Sequence, residues 1–163
     1  MLYHLLDGIN KIAKFETAEA HCDIPCGIYD PAPALIAALS VIRLMDIMQE
    51  NAEKPAGLER DAAIARCVAM KELEAAKVKD EIRVIWGDYF KAPQIEKHPN
   101  IHGLVHEIMV TAGKCKQTTA RENGEKLLEL VNDFAKIFWE TKGIETEMKT
   151  SPYAPNLDVV RPA

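Results

Sequence analysis

His21-Cys22-Asp23-Ile24-Pro25-Cys26-Gly27-Ile28-Tyr29-Asp30-Pro31 places one imidazole and two thiols within six residues, on a stretch built to turn. Two cysteines four apart can face one ion if the chain between them hooks back. Pro25 fixes φ and Gly27 permits a positive φ, the two properties such a hook requires. Thiolates select soft or borderline metals, and imidazole suits zinc, copper, iron and nickel. Just upstream, Ala18-Glu19-Ala20 reads as a processing site. Cleavage after Ala20 would make His21 the first residue and turn its amine into a further ligand.

Two later blocks accompany the hook. One is Val84-Ile85-Trp86-Gly87-Asp88-Tyr89-Phe90-Lys91-Ala92-Pro93, and the other is Lys136-Ile137-Phe138-Trp139-Glu140-Thr141-Lys142. Together the three segments resemble the nickel-containing superoxide dismutase family, over roughly residues 21–142. The hook is the specific signal, because few sequences combine H-C-x-x-P-C-G-x-Y. The other blocks corroborate it. The resemblance implies a superoxide dismutase that disproportionates superoxide to dioxygen and hydrogen peroxide while nickel cycles between its divalent and trivalent states.

Residue by residue, the resemblance implies that His21, Cys22 and Cys26 hold the nickel ion. The His21 amine, the Cys22 amide nitrogen and the two sulfurs would form a plane, a set that favours square-planar divalent nickel. The His21 imidazole would approach axially in the trivalent state. Anionic thiolates and a deprotonated amide donate charge and bring the trivalent state within reach. Because the thiols must lose protons to bind, the site should fail at low pH. By the same resemblance Tyr29 gates the approach of the small anion. Asp23 would help order the hook, and Tyr89 and Lys91 are candidates for the surrounding shell. Lys91 reads equally well as a solvated loop lysine, and Asp88 and Trp86 read as structural.

One departure from the family pattern concerns the imidazole's support. A glutamate and an arginine would be expected to orient it, but the corresponding positions here are Ala37 and Glu74. Glu74 either takes the imidazole N–H itself or is an ordinary helix-surface carboxylate.

Outward from the hook, helical spacing dominates. Pro31 and Pro33 open a helix running to about Asn51, with Leu35, Leu39, Ile42 and Met45 as its inward stripe and Val41 and Met48 beside it. Pro55-Ala56-Gly57 breaks it. A second helix runs from about Leu58 to Tyr89, carrying Ile64, Cys67, Val68, Ala75, Val78, Ile82 and Ile85. Lys91 to Pro99 reads as a loop. A third helix carries Ile101, Leu104, Val105, Ile108, Met109 and Ala112, and a fourth carries Leu127, Leu130, Val131, Phe134, Ile137 and Phe138. No alternation supports a strand. The pattern predicts an all-α fold, an antiparallel up-down four-helix bundle with an N-terminal metal hook. Three parts follow: a pro-peptide at 1–20, the hook and bundle at 21–142, and an irregular proline-containing tail at 143–163.

Leu2, Leu5, Leu6, Ile9, Ile12 and Ala13 recur at helical spacing, interrupted by His4, Asp7, Lys11 and Lys14. Without a continuous apolar core this segment fails as a secretory signal. It fits a pro-peptide removed in the cytoplasm by a maturation peptidase, which is also the family's habit.

Composition sets bounds on the rest. A chain of 163 residues, 48% hydrophobic and 28% charged, is the size of one globular domain. The sequence offers no uninterrupted apolar run of spanning length, so no membrane partner is expected. A net charge of −5 argues against nucleic acid and against bulk attraction of an anionic substrate. Any steering of superoxide falls to local lysines or arginines. Cys67 and Cys115 read as small buried hydrophobes. His98, His102 and His106 cluster at the third helix without a supporting ligand motif and read as solvated or capping residues.

Two other classes compete with the enzyme. A nickel or copper carrier would use the same hook, and a thiol-redox protein would close Cys22 and Cys26 into a disulfide. C-x-x-x-C is not the C-x-x-C of thioredoxin-like proteins. A carrier leaves Tyr29 and the two later blocks unexplained. A nine-residue hook has few contacts of its own, so a homo-oligomer, a hexamer by resemblance, is the expected assembly.

Overall fold

Proline fixes φ near its helical value and lacks an N–H that the first turn of a helix leaves unbonded anyway. Pro31 and Pro33 therefore open α1, which spans Ala32–Ala52 in a computed structural model describing residues 27–163. The Asp30 carboxylate accepts from the Ala32 N–H at 2.7 Å, satisfying a donor that the helix start exposes. The pro-peptide reading and the N-terminal part of the hook lie outside the described residues.

Four longer helices make the bundle: α1, α2 (Leu58–Val84), α4 (Ile101–Gln117) and α5 (Arg121–Thr141). Each packs on two others, α1 against α2 and α5, and α4 against the same pair, so the four close into a ring around one core. The expected stripe on α1 is buried throughout, from Leu35 to Met48. Its partners are Ala75, Val78 and Ile82 on α2, Val105, Ile108 and Ala112 on α4, and Leu127, Val131, Phe134 and Phe138 on α5. Each fully buried large apolar side chain contributes about 1.5–3 kcal/mol. By length and composition α1 is apolar enough to cross a membrane, but half of that stretch is buried within the bundle. Gly124 explains how closely α5 approaches α1: a Cβ there would stand 2.8 Å from Ile42 Cγ1.

A buried cation ties the far end together. Lys71 on α2 is 1% exposed, and its ammonium donates to the carbonyls of Cys115, Lys116 and Thr118. These close the C-terminal end of α4, where carbonyls lack partners from a following turn. Burial pushes the Lys71 pKa down, which leaves the charge dependent on those oxygens.

The structure corrects the sequence reading in two places. Residues 91–99, expected as a loop, contain the short helix α3 (Ala92–Lys97). Pro93 sits in its first turn, where its missing N–H costs nothing, and the Gln94 side chain accepts from the Lys91 N–H at 3.1 Å. The tail expected to be irregular carries an antiparallel pair, β1 (Thr146–Thr150) and β2 (Asp158–Pro162), in register from Thr146 opposite Pro162 to Thr150 opposite Asp158. Two adjacent residues of β2, Val159 and Val160, are buried, so the period-two signal of a half-buried strand is absent from the sequence.

Asn132 on α5 docks this hairpin. Its side-chain carbonyl accepts from the Val160 N–H at 2.9 Å, and its amide donates to the Asp158 carbonyl at 3.0 Å. One side chain thus does for β2 what a neighbouring strand would do. Asn132→Ala should orphan the buried Val160 N–H and cost about 1–3 kcal/mol of hairpin docking. Hydrogen exchange should show faster exchange at Val159 and Val160 with the α1 amides unchanged. Unaltered exchange at both valines would show that the apolar contacts alone hold the hairpin.

Candidate functional site

The described chain enters the bundle at Gly27, whose φ of +70° lies in the left-handed region. Among the described residues nothing stands within 4 Å of where its Cβ would be, and the positive φ is by itself a conformation that favours glycine. This is the turn that the hook reading placed at Gly27. His21, Cys22, Asp23 and Cys26 lie outside the described residues. Among the described residues no three His, Cys, Asp or Glu side chains gather where they could hold a metal ion.

Two residues beyond Gly27, Tyr29 packs half-buried against the core, its ring centroid 5.9 Å from that of Tyr89. Tyr89 is positioned by a change of helix type. The last five residues of the second helical run, Ile85–Tyr89, form a π-turn, and Phe90 then leaves in an extended conformation. Such wide turns cost helical geometry and recur at functional positions. Here the turn gives Tyr89 to the bundle end and Phe90, 3% exposed, to the core. Lys91 Nζ folds back to donate to the Gly87 carbonyl at 2.9 Å, satisfying an oxygen of that turn.

Around Tyr89 the rings of Phe138 and Phe90 stand at 4.9 and 5.3 Å between centroids. Its hydroxyl lies 2.7 Å from Thr141 Oγ1, and Lys142 Nζ lies 4.9 Å from its ring centroid. The site is therefore a wall of aromatic rings with Lys142 above Tyr89, at the end of the bundle where the hook joins. The sequence reading placed Tyr29, Tyr89 and Lys91 here but singled out neither Thr141 nor Lys142. The available signal was the block Lys136 to Lys142, which ends on these two residues.

The remaining candidates are distributed elsewhere. Glu74 borders a shallow cleft with Ser40, Arg43, Met70 and Tyr153. It precedes Tyr89 by fifteen residues on the same helical run, a rise of ~22 Å. Ala37 is fully buried in the core. Trp86, read as structural, donates from Nε1 to His102 Nδ1 at 3.0 Å and meets that ring edge-on, joining the end of α2 to the start of α4. Cys115 is fully buried, and burial pushes its thiol up to about 11, which fits an inert core residue. Cys67 is half-buried.

Known proteins resemble this chain over most of its length. The model of the family described as nickel-containing superoxide dismutase matches residues 16–142. A superoxide dismutase [Ni] from Streptomyces coelicolor is 40% identical over 126 residues, covering 77% of this chain and 91% of that protein. One from Streptomyces seoulensis is 39% identical over 123 residues, covering 76% and 88%. Among solved structures, a native nickel superoxide dismutase at 1.30 Å superposes with a TM-score of 0.67 at 38% identity, covering 75% of this chain and 99% of that one. Residues 143–163, with the hairpin, lie beyond the family match.

Gly27 gives a direct test of the turn. An L-residue in the left-handed region costs about 1–2 kcal/mol, so Gly27→Ala should weaken nickel retention by roughly 5–30-fold. Circular dichroism should show unchanged helix content. Nickel content equal to that of the parent chain after dialysis would show that the positive φ is not needed for metal binding.

Proposed function

The chain belongs to the nickel-containing superoxide dismutase family, and from that premise we propose that His21, Cys22 and Cys26 hold its nickel. It is a nickel enzyme that disproportionates superoxide to dioxygen and hydrogen peroxide. Bound nickel supplies one-electron exchange with superoxide, alternating between its divalent and trivalent states. The donor set fits that chemistry, because anionic thiolates lower the potential of the trivalent state and imidazole is a competent nickel ligand. The observation that carries this assignment is the left-handed Gly27, which joins the thiol-bearing segment directly to the Tyr29–Tyr89 wall.

The described residues supply the surroundings. Tyr29 and Tyr89 narrow the approach with rings packed against the aromatic core. Water is excluded on the core side by Phe90 and Phe138. In a chain of net charge −5, Lys142 over Tyr89 and Lys91 beside Gly87 are the nearby cations that can draw an anion to this end. Asp23 fits a role in ordering the hook. Glu74 fits a partner for the His21 imidazole only if the hook reaches it along α2 or from another subunit.

We further propose that a peptidase removes Met1–Ala20 in the cytoplasm and that the mature chain assembles as a homo-oligomer, a hexamer by family resemblance. Before cleavage the His21 nitrogen belongs to a peptide bond and cannot act as an amine donor. Full-length and His21-starting chains, each reconstituted with nickel, should differ sharply in dismutation, and equal rates would refute the requirement. Cys22→Ser and Cys26→Ser should each abolish activity with helical content intact, whereas Cys67→Ser should retain it. Activity should also fall as acid protonates the thiols. Dismutation surviving in either hook variant would overturn the assignment.

A further inference from the structure

Thr141 Oγ1 has two hydrogen-bond contacts: 2.6 Å to the Phe138 carbonyl and 2.7 Å to the Tyr89 hydroxyl. A threonine hydroxyl carries one proton and two acceptor lone pairs. The carbonyl can only accept, so the Thr141 proton goes to Phe138. That oxygen belongs to the last turn of α5, and the Lys142 N–H that a continuing helix would aim at it goes to the Trp139 carbonyl instead. The Tyr89–Thr141 bond therefore runs in one direction, with Tyr89 donating and Thr141 accepting. The ring cannot easily turn away from this arrangement. Phe138, Phe90 and Tyr29 surround it, and the Lys142 ammonium lies over it.

We propose that Thr141 is a positioning residue that commits the Tyr89 proton inward, so that Tyr89 offers lone pairs, not a proton, to small molecules at the hook end of the bundle. The proposal rests on the superoxide dismutase reading. Superoxide is an anion with acceptor atoms only, whereas hydrogen peroxide and water carry O–H donors. Tyr89 so directed accepts from the protonated product or from water and gives the substrate anion no hydrogen bond. Small anions are thus held loosely, which suits a site where a product must leave as readily as a substrate arrives. Tyr89 is then a selector between charged and protonated oxygen species and not a proton donor to peroxide.

Thr141→Val keeps the side-chain shape and removes the acceptor, which frees the Tyr89 proton. Thr141→Ser keeps the hydroxyl. The first measurement uses the full chain without nickel. The intensity ratio of the tyrosine Raman doublet distinguishes a phenol that donates from one that accepts, and the difference from Tyr89→Phe isolates this ring. Thr141→Val should shift that ratio away from the donor side, and Thr141→Ser should keep the parent's value. The second measurement uses nickel-loaded enzyme with azide as the anionic probe. Azide should inhibit Thr141→Val about fivefold more tightly, the gain from roughly one added hydrogen bond, with Thr141→Ser like the parent. An unchanged Raman ratio in Thr141→Val, a shifted one in Thr141→Ser, or unchanged azide affinity in Thr141→Val would overturn the proposal. A nickel-loaded parent without dismutation would instead overturn the reading of function, while the metal-free Raman comparison would still decide the direction of the bond.

Discussion

The Tyr89 ring is where four parts of the chain meet, and the site depends on that contact. Tyr29 brings the end of the hook, the π-turn brings the end of the second helical run, Phe90 brings the connection to α3, and Phe138 with Thr141 and Lys142 brings the end of α5. None of these segments is adjacent in sequence to all the others. Their relative placement is set by the buried ring of four helices, whose core ends in Phe134 and Phe138. A loosely packed bundle would leave Tyr29 without the Tyr89 ring to pack against, and the first described residues of the chain would lose that anchor. Core packing and access to the metal site are in this sense one constraint.

The π-turn shows how that constraint acts locally. An uninterrupted α-helix through Ile85–Tyr89 would rotate the following residues by a different angle and present Tyr89 elsewhere. Widening the turn puts Ile85 and Phe90 into the core while Tyr89 stays half-buried at the rim. The wider turn weakens backbone hydrogen bonding, and Lys91 offsets part of that cost by bonding the Gly87 carbonyl. The lysine that sequence reading left open between a solvated and a site residue therefore has a local structural task as well as its charge.

Much of the fold was legible because its signals are local. Helical stripes on α1, α4 and α5 follow from 3.6-residue spacing, and prolines mark the start of α1. The positive φ at Gly27 is likewise written in a single short stretch. What escaped the sequence depends on contacts distant along the chain. The hairpin is held by Asn132 reaching across to Asp158 and Val160, and its two consecutive buried valines hide the alternation that marks a strand. Thr141 acquires its role only through a partner 52 residues away. Trp86 and His102, each unremarkable in sequence, become a linked pair only once α2 and α4 are side by side.

The division of labour that emerges has a physical basis. Donors that make trivalent nickel accessible must be anionic and close together, and the proposed ligands His21, Cys22 and Cys26 lie within six residues of sequence. Such a segment cannot by itself select a substrate, because charge on the thiolates repels an anion as readily as any other negative group. Selection must come from the rigid side. There the bundle sets two phenol rings and Lys142 at fixed distances, in a protein whose overall charge would otherwise turn superoxide away. A cation over the Tyr89 ring draws the anion in, while a phenol whose proton is committed to Thr141 gives it nothing further to hold. Attraction without strong retention is what rapid exchange of small oxygen species requires, and it arises here from the last two residues of the family-matched span, Thr141 and Lys142.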